Sequence, residues 1–132
     1  MAFDPSRDYP LGSERPDLVR TPGGLALSDL TLDAELDASE LRATPGTLRL
    51  QAEVADATGR SQLADNLRRG AELAPLPDET ILEIYTALRP GRSSAAALEA
   101  WADRLEALDA PLTAAFVRDA MHAYALRGLL VS

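Results

Sequence analysis

His122 is the only imidazole in the chain, so it is the first residue to weigh as an acid, a base or a metal ligand. It stands between Met121 and Ala123. There is no second histidine for a relay or a ligand set, so it reads as a structural or surface histidine. Paired carboxylates are the next chemistry to consider. Asp78 with Glu79, Asp103 with Glu106, and Glu53 with Asp56 could in principle divide general acid and base roles. All of them fall at ordinary exposed helix spacings, and Glu106 has arginines near enough to pair with. Arg68-Arg69 could hold an anion, but Asp65 and Glu72 lie within helical reach and offer ion pairs instead. No glycine-rich phosphate loop, G-x-S-x-G elbow or E-x-x-H pair occurs. Cysteine and lysine are both absent, which removes thiolate, disulfide and Schiff-base chemistry. The expectation is that this chain contributes no catalytic, cofactor-binding or metal-binding residue.

The bulk properties point the same way. The chain has 132 residues and a formal net charge of −8, enough for one modest core. All 13 basic residues are arginine. An acidic chain repels a phosphate backbone, so nucleic acid is not an expected partner. No apolar run approaches the ~20 residues of a membrane span, and the first residues lack the apolar core of a secretory signal. With no cysteine, a reducing, cytoplasmic setting is expected.

Local signals then divide the chain into an arm over residues 1–27 and a helical domain over 28–132. The arm holds Pro5, Pro10, Pro16, Pro22 and the Gly23-Gly24 pair. Each proline removes a donor and biases its predecessor toward extended backbone, which predicts an extended arm that another surface must hold in order. Its apolar residues are Phe3, Tyr9, Leu11, Leu18 and Val19. Ser28 to Arg42 could form one or two short helices, capped at Ser28 and at Asp37 or Ser39, and its five acids read as a solvated face.

From Thr44 the signals are helical. Thr44-Pro45 reads as an N-cap followed by proline at the first helical position, with Gly59 as the stop. A second helix is predicted over about 61–74, with Leu63, Leu67, Ala71 and Ala74 as its buried face. Asp78 and Glu79 open a third, favoured by the helix dipole, with Ile81, Leu82, Tyr85 and Leu88 inward and Arg89-Pro90-Gly91 at its end. Ser93 or Ser94 caps a fourth, with Leu98, Trp101, Ala102, Leu105 and Leu108 on one side. Ala110-Pro111 starts the last, which turns Leu112, Ala115, Phe116, Ala120, Ala123 and Tyr124 inward and stops at Gly128. No strand alternation or fixed-period repeat appears. The fold class is all-α, a small bundle of about four main helices with an extended proline-rich N-terminal arm. Apolar residues on more than one side of a helix, as with Ile81, Leu82, Ile84 and Tyr85, point to a surface buried against another chain.

Beyond periodicity, the ordered segments carry a resemblance. DYPL (8–11), RPDLVRTP (15–22), LSDLTLDAEL (27–36), TPGTLRLQAEVADATGR (44–60), LADNLRRGAEL (63–73), PDETILEIYTALRPGRSS (77–94) and AAFVRDAMHAYALR (114–127) follow one another. Together they resemble the small (gamma) subunit of the coenzyme-B12-dependent diol dehydratase and glycerol dehydratase family, over nearly the whole chain. The resemblance implies a lyase built of large, medium and small subunits, usually two copies of each. It also implies that adenosylcobalamin is held by the partner subunits, and that 1,2-propanediol or glycerol is converted to propanal or 3-hydroxypropanal by a radical route. The cofactor carries the hard chemistry in such an enzyme, and the small subunit carries no catalytic residue.

Three departures from the family pattern stand out. Gly91 occupies a place where related chains often carry an aromatic residue. The ending LRGLLVS is apolar rather than basic. Residues 1–7 are too few for an amphipathic targeting helix, so a cytosolic enzyme is expected, with encapsulation in a bacterial microcompartment through partner subunits left open. Candidate interface residues are Tyr9, Leu11, Leu18, Val19, Tyr85 and Arg89. The competing readings are an intramolecular clasp for the arm residues, core packing for Tyr85 and a helix cap for Arg89. The alternative for the whole chain is a free-standing helical adaptor or regulatory module.

Overall fold

The computed structural model describes residues 2–20, 26 and 44–132; the helices expected between Ser28 and Arg42 lie outside this set. Six helices are described: α1 Leu11–Glu14, α2 Pro45–Ala57, α3 Ser61–Leu73, α4 Asp78–Ala87, α5 Ala95–Ala107 and α6 Pro111–Arg127. Five of them have ten residues or more, in keeping with a small all-α bundle of about four main helices. Among the described residues there is no strand, only an isolated antiparallel bridge between Arg20 and Ala26. The chain sorts into two compact units, Met1–Ala74 and Pro75–Ser132.

In the N-terminal unit, α2 begins where the sequence placed it. The Thr44 hydroxyl accepts the Thr47 amide proton at 3.2 Å, and Pro45 takes the first helical position. The helix closes at Gly59, whose φ is +79°. There the amide of Arg60 reaches back to Ala55 O at 2.7 Å and that of Gly59 to Asp56 O at 3.1 Å, the paired bonds of a Schellman ending. With so short a connection, α3 returns beside α2. The seam between them is built of small residues, Ala52, Ala55 and Ala64, with Leu67 packed against it. Leu48 also lies along α3, where a Cβ on Gly70 would stand 3.8 Å from Leu48 Cδ1. Leu63, expected in the buried face of α3, is 43% exposed; the seam admits alanine at 64 in its place.

The arm is a string of turns rather than an extended strand. Asp4 and Asp8 close a first turn, with the Asp8 amide donating to Asp4 O at 2.8 Å. A cis Tyr9-Pro10 peptide leads into α1, and a further turn follows in which Leu18 N donates to Arg15 O at 3.0 Å. Pro5, Pro10 and Pro16 restrict φ without preventing single turns, and side-chain carboxylates supply bonds that regular structure would have given. The arm is fastened to the head of α2 by the Arg20 amide, which donates to Thr47 Oγ1 at 3.3 Å.

In the C-terminal unit, α5 and α6 lie along each other. Ser94, not Ser93, caps α5, its hydroxyl accepting from Ala97 N at 3.1 Å. Leu98, Ala102 and Leu105 from α5 meet Ala114 and Val117 from α6, with Ala110 at the joint; all are essentially inaccessible. Burying a leucine or valine this completely contributes about 1.5–3 kcal/mol each. The inward face of α6 is Thr113, Ala114 and Val117, so the expected face is turned. Leu112 and Phe116 are 49% and 43% exposed. One position along a helix rotates a side chain by ~100°, which is enough for this exchange. The face of α4 is likewise corrected. Thr80 and Ile84 are buried, whereas Leu82 and Tyr85 face solvent.

The tail after α6 is docked within this unit. Gly128 turns left-handed at φ +68°. The amide of Gly91 then donates to Leu129 O at 2.8 Å, and that of Val131 to Ser93 O at 3.0 Å. The Tyr124 hydroxyl donates to Leu88 O at 2.6 Å and that of Ser93 to Ala87 O at 2.7 Å. The LRPGRSS stretch is thus held by the apolar ending that the sequence marked as unusual.

Candidate functional site

Two charged hubs organise the surface. In the arm, Asp8 is buried and collects donors from several directions. Arg7 Nε reaches Asp8 Oδ1 at 2.9 Å and Arg7 Nη2 reaches Asp8 Oδ2 at 3.2 Å. The Asp4 amide adds 2.9 Å and Arg15 Nη1 3.3 Å, both to Asp8 Oδ2. The bonds from Arg7 and then from the Asp4 amide hold the Asp8 carboxyl well below the usual carboxylate range. Arg15 also grips Asp17 with two parallel bonds of 3.1 and 3.0 Å, and that pairing raises the guanidinium above its ordinary value.

The second hub is Arg118 on α6. Its guanidinium reaches Glu99 Oε1 at 2.9 Å, Asp103 Oδ1 at 2.9 Å and Glu106 Oε1 at 2.5 Å. These three acids occupy one stripe of α5, so a single arginine bridges the two helices along that stripe. Glu106 and then Glu99 raise the Arg118 guanidinium still further above its usual range. The carboxylate pair Asp103 and Glu106 is thereby occupied by one cation. On α2, Asp56 is taken by Arg68 at 2.5 Å, and Arg69 bonds Asn66 Oδ1 on its own helix. His122 is exposed on α6. Among the described residues no group of three His, Cys, Asp or Glu could hold a metal ion, and no helix is long and apolar enough to cross a membrane.

The six candidate interface residues fall in both units. Tyr9 is 50% exposed, while Leu11 is buried in its own unit. Leu18 and Val19 are half-buried. On α4, Tyr85 is 60% exposed, and Arg89 stands exposed one turn on. Leu88, not Arg89, is the C-cap of α4. Leu82, one of the apolar residues that the sequence places around α4, is 64% exposed beside Tyr85. Sequence reasoning missed Asp8, Arg15 and Arg118. The acids at 99, 103 and 106 recur at one-turn intervals, and that stripe was the readable signal for Arg118; Asp8 had none beyond its charge. The described residues thus present a clasped arm in one unit and a solvent-facing side of α4 in the other.

Comparison with known proteins follows this division. The pattern of the family described as Dehydratase small subunit matches residues 5–131. The propanediol dehydratase small subunit of Citrobacter freundii is 49% identical over 125 residues, covering 91% of this chain and 73% of the relative. The protein of the same name from Salmonella typhimurium strain LT2 is 48% identical over 125 residues, covering 91% and 72%. A match over residues 5–131 takes in every described helix, α1 to α6, and the chain belongs to the dehydratase small subunit family.

Proposed function

We propose that the chain is the non-catalytic small subunit of an adenosylcobalamin-dependent propanediol dehydratase, in which it stabilises the large catalytic subunit. The observation that carries this is 49% identity, over 91% of the chain, to a propanediol dehydratase small subunit. The reaction of the complex is loss of water from 1,2-propanediol to give propanal, with glycerol to 3-hydroxypropanal as a related activity. The partners are a large and a medium subunit, two copies of each together with this chain. The cofactor is assigned to the partner subunits. The complex is proposed to be cytoplasmic.

Within this proposal the arm over 1–27 is a separate attachment. Leu11 fastens it to its own unit, while Tyr9, Leu18 and Val19 are left for the partner, as are Tyr85 and Arg89 on the other unit. The test is co-expression with the large and medium subunits. Cobalamin-dependent propanal formation is expected to need all three chains and to collapse when this one is omitted, and deletion of 1–27 should weaken assembly. Recovery of a well-behaved lone monomer that never joins the other subunits would instead support the free-standing adaptor.

A further inference from the structure

Helix α4 is fastened chiefly at one end. It has ten residues, and only Thr80 and Ile84 are buried. It meets α5 over a short stretch, whereas α5 and α6 run alongside each other. The ion pair from Glu83 to Arg104 of α5, at 3.9 Å, joins side chains that are both more than half exposed, and such a pair contributes little. A helix shorter than ~12–15 residues takes its stability from tertiary contacts, and along its sides α4 has few.

Its C-terminal end is bound differently. The last carbonyls of a helix have no partner within it. In α4 the carbonyl of Ala87 accepts from the Ser93 hydroxyl at 2.7 Å, and that of Leu88 from the Tyr124 hydroxyl at 2.6 Å. Ser93 is bound twice. Its hydroxyl goes to the helix end, and its own carbonyl accepts the Val131 amide at 3.0 Å. Two residues earlier, the Gly91 amide donates to Leu129 O at 2.8 Å. Leu129 and Leu130 are half-buried as they run past. A line of bonds therefore passes from Val131 through Ser93 to Ala87, and it joins the segment after α6 to the last turn of α4.

We infer that residues 129–131 form a strap that closes α4 onto its unit, with Ser93 as the junction through which the strap acts. Elements with little buried apolar surface open locally, at a lower cost than global unfolding. Helix α4 is such an element. The α5–α6 pair is not, because Leu98, Leu105 and Val117 are sealed within it. Releasing the strap opens α4 while the pair stays folded. The order of the helix that carries Tyr85 is thus set by residues outside it. The device belongs to the chain itself and needs no partner subunit.

The test is amide hydrogen exchange on the full chain, followed separately over α4 and over α5 and α6. Val131→Pro removes the amide that reaches Ser93 O, and Ser93→Ala removes the hydroxyl that reaches Ala87 O. Neither touches the cap of α5, which is Ser94. Each should speed exchange across residues 82–88 by about five-fold and leave residues 98–105 and 114–120 unchanged. Val131→Ala keeps the amide and trims a side chain that is 44% exposed, so α4 should exchange as in wild type. In the double variant, Ser93→Ala with Val131→Pro, the gain should fall short of the product of the two single effects, because both cut the same line. A chain ended at Gly128 lacks the strap and should expose α4 at least as much as Val131→Pro does; if it fails to fold, the point variants decide. Unchanged α4 exchange in Val131→Pro overturns the inference. So does an equal rise across α4, α5 and α6, which would mean that α4 opens only with the whole unit. Single effects that simply multiply also overturn it, since the strap and the Ser93 hydroxyl would then be independent holds.

Discussion

The hydroxyl of Tyr124 donates a 2.6 Å hydrogen bond to the carbonyl of Leu88, 36 residues earlier in the chain. That carbonyl belongs to the C-cap of α4, where a helix leaves its last acceptors without an internal partner. An aromatic residue on α6 therefore finishes α4. Replacing Tyr124 by Phe removes only the hydroxyl, and should destabilise the chain by about 1 kcal/mol in a denaturant titration. The same change should speed amide exchange in the last turn of α4 before that of α5.

Gly91 is the complementary case, a residue set by backbone rather than side chain. Its φ is +74°, and a Cβ there would meet nothing within 4 Å. The cost of any side chain is then the left-handed conformation, about 1–2 kcal/mol, and not a clash. Gly91→Ala and Gly91→Tyr should lower stability by nearly equal amounts in thermal melts. A much larger loss for Tyr would show that the space is occupied in solution. Glycine here keeps the amide aimed at Leu129 O at 2.8 Å, so both variants should also loosen the tail.

Asp8 predicts a pH dependence of the arm. Its carboxyl is held below the usual range by Arg7, the Asp4 amide and Arg15. A group with a depressed folded pKa adds stability that is present above its unfolded value, about 3.9, and lost as pH falls through the folded one. The arm should stay clasped at neutral pH and loosen progressively as pH falls from about 4 toward the depressed folded value. Limited proteolysis with an acid-active protease would read this as cleavage within 2–20 that rises as pH falls. Asp8→Asn should show that cleavage already at neutral pH, read with a protease active there.

How far the sequence could be read depended on the range of the interaction. Thr44, Pro45, Gly59 and Gly128 act within a few residues of themselves, and the helix ends they mark are where periodicity and capping placed them. The buried faces were harder. Size was taken as the guide to burial, so Leu63, Leu82, Leu112 and Phe116 were expected inside. The helices of the N-terminal unit meet instead at Ala52, Ala55 and Ala64, and alanines are too many in this chain to be told apart by type. The arm's turns rest on Asp4, Asp8 and Arg15, whose partners no local pattern names. Of the candidate surface, Tyr85 was legible as one of several apolar residues around α4, but its exposure followed only from which side of α4 is packed.

Arg118 tests the second hub. With three acids on one guanidinium, removing it leaves Glu99, Asp103 and Glu106 repelling one another along α5. Arg118→Ala should lower the melting temperature by about 3 °C at low salt. The deficit should shrink as salt rises, because exposed charges are screened. Removing two of the like charges with Glu99→Gln and Glu106→Gln in the Arg118→Ala background should recover part of the loss. A salt-independent deficit would assign the effect to the packing of the arginine stem instead.

The alanine seam between α2 and α3 has a consequence for order as well as for packing. A buried alanine has no χ rotamer to freeze, so closing this contact costs almost no side-chain entropy, in contrast to a seam of leucine or methionine. The helix pair gains rigidity without relying on bulk. The alanines themselves have no flexible side chain that could yield to an intruding methyl group. Evolution of this pair is therefore confined to its outer surface, and the spacing of α2 and α3 acts as a fixed gauge in whatever assembly it enters.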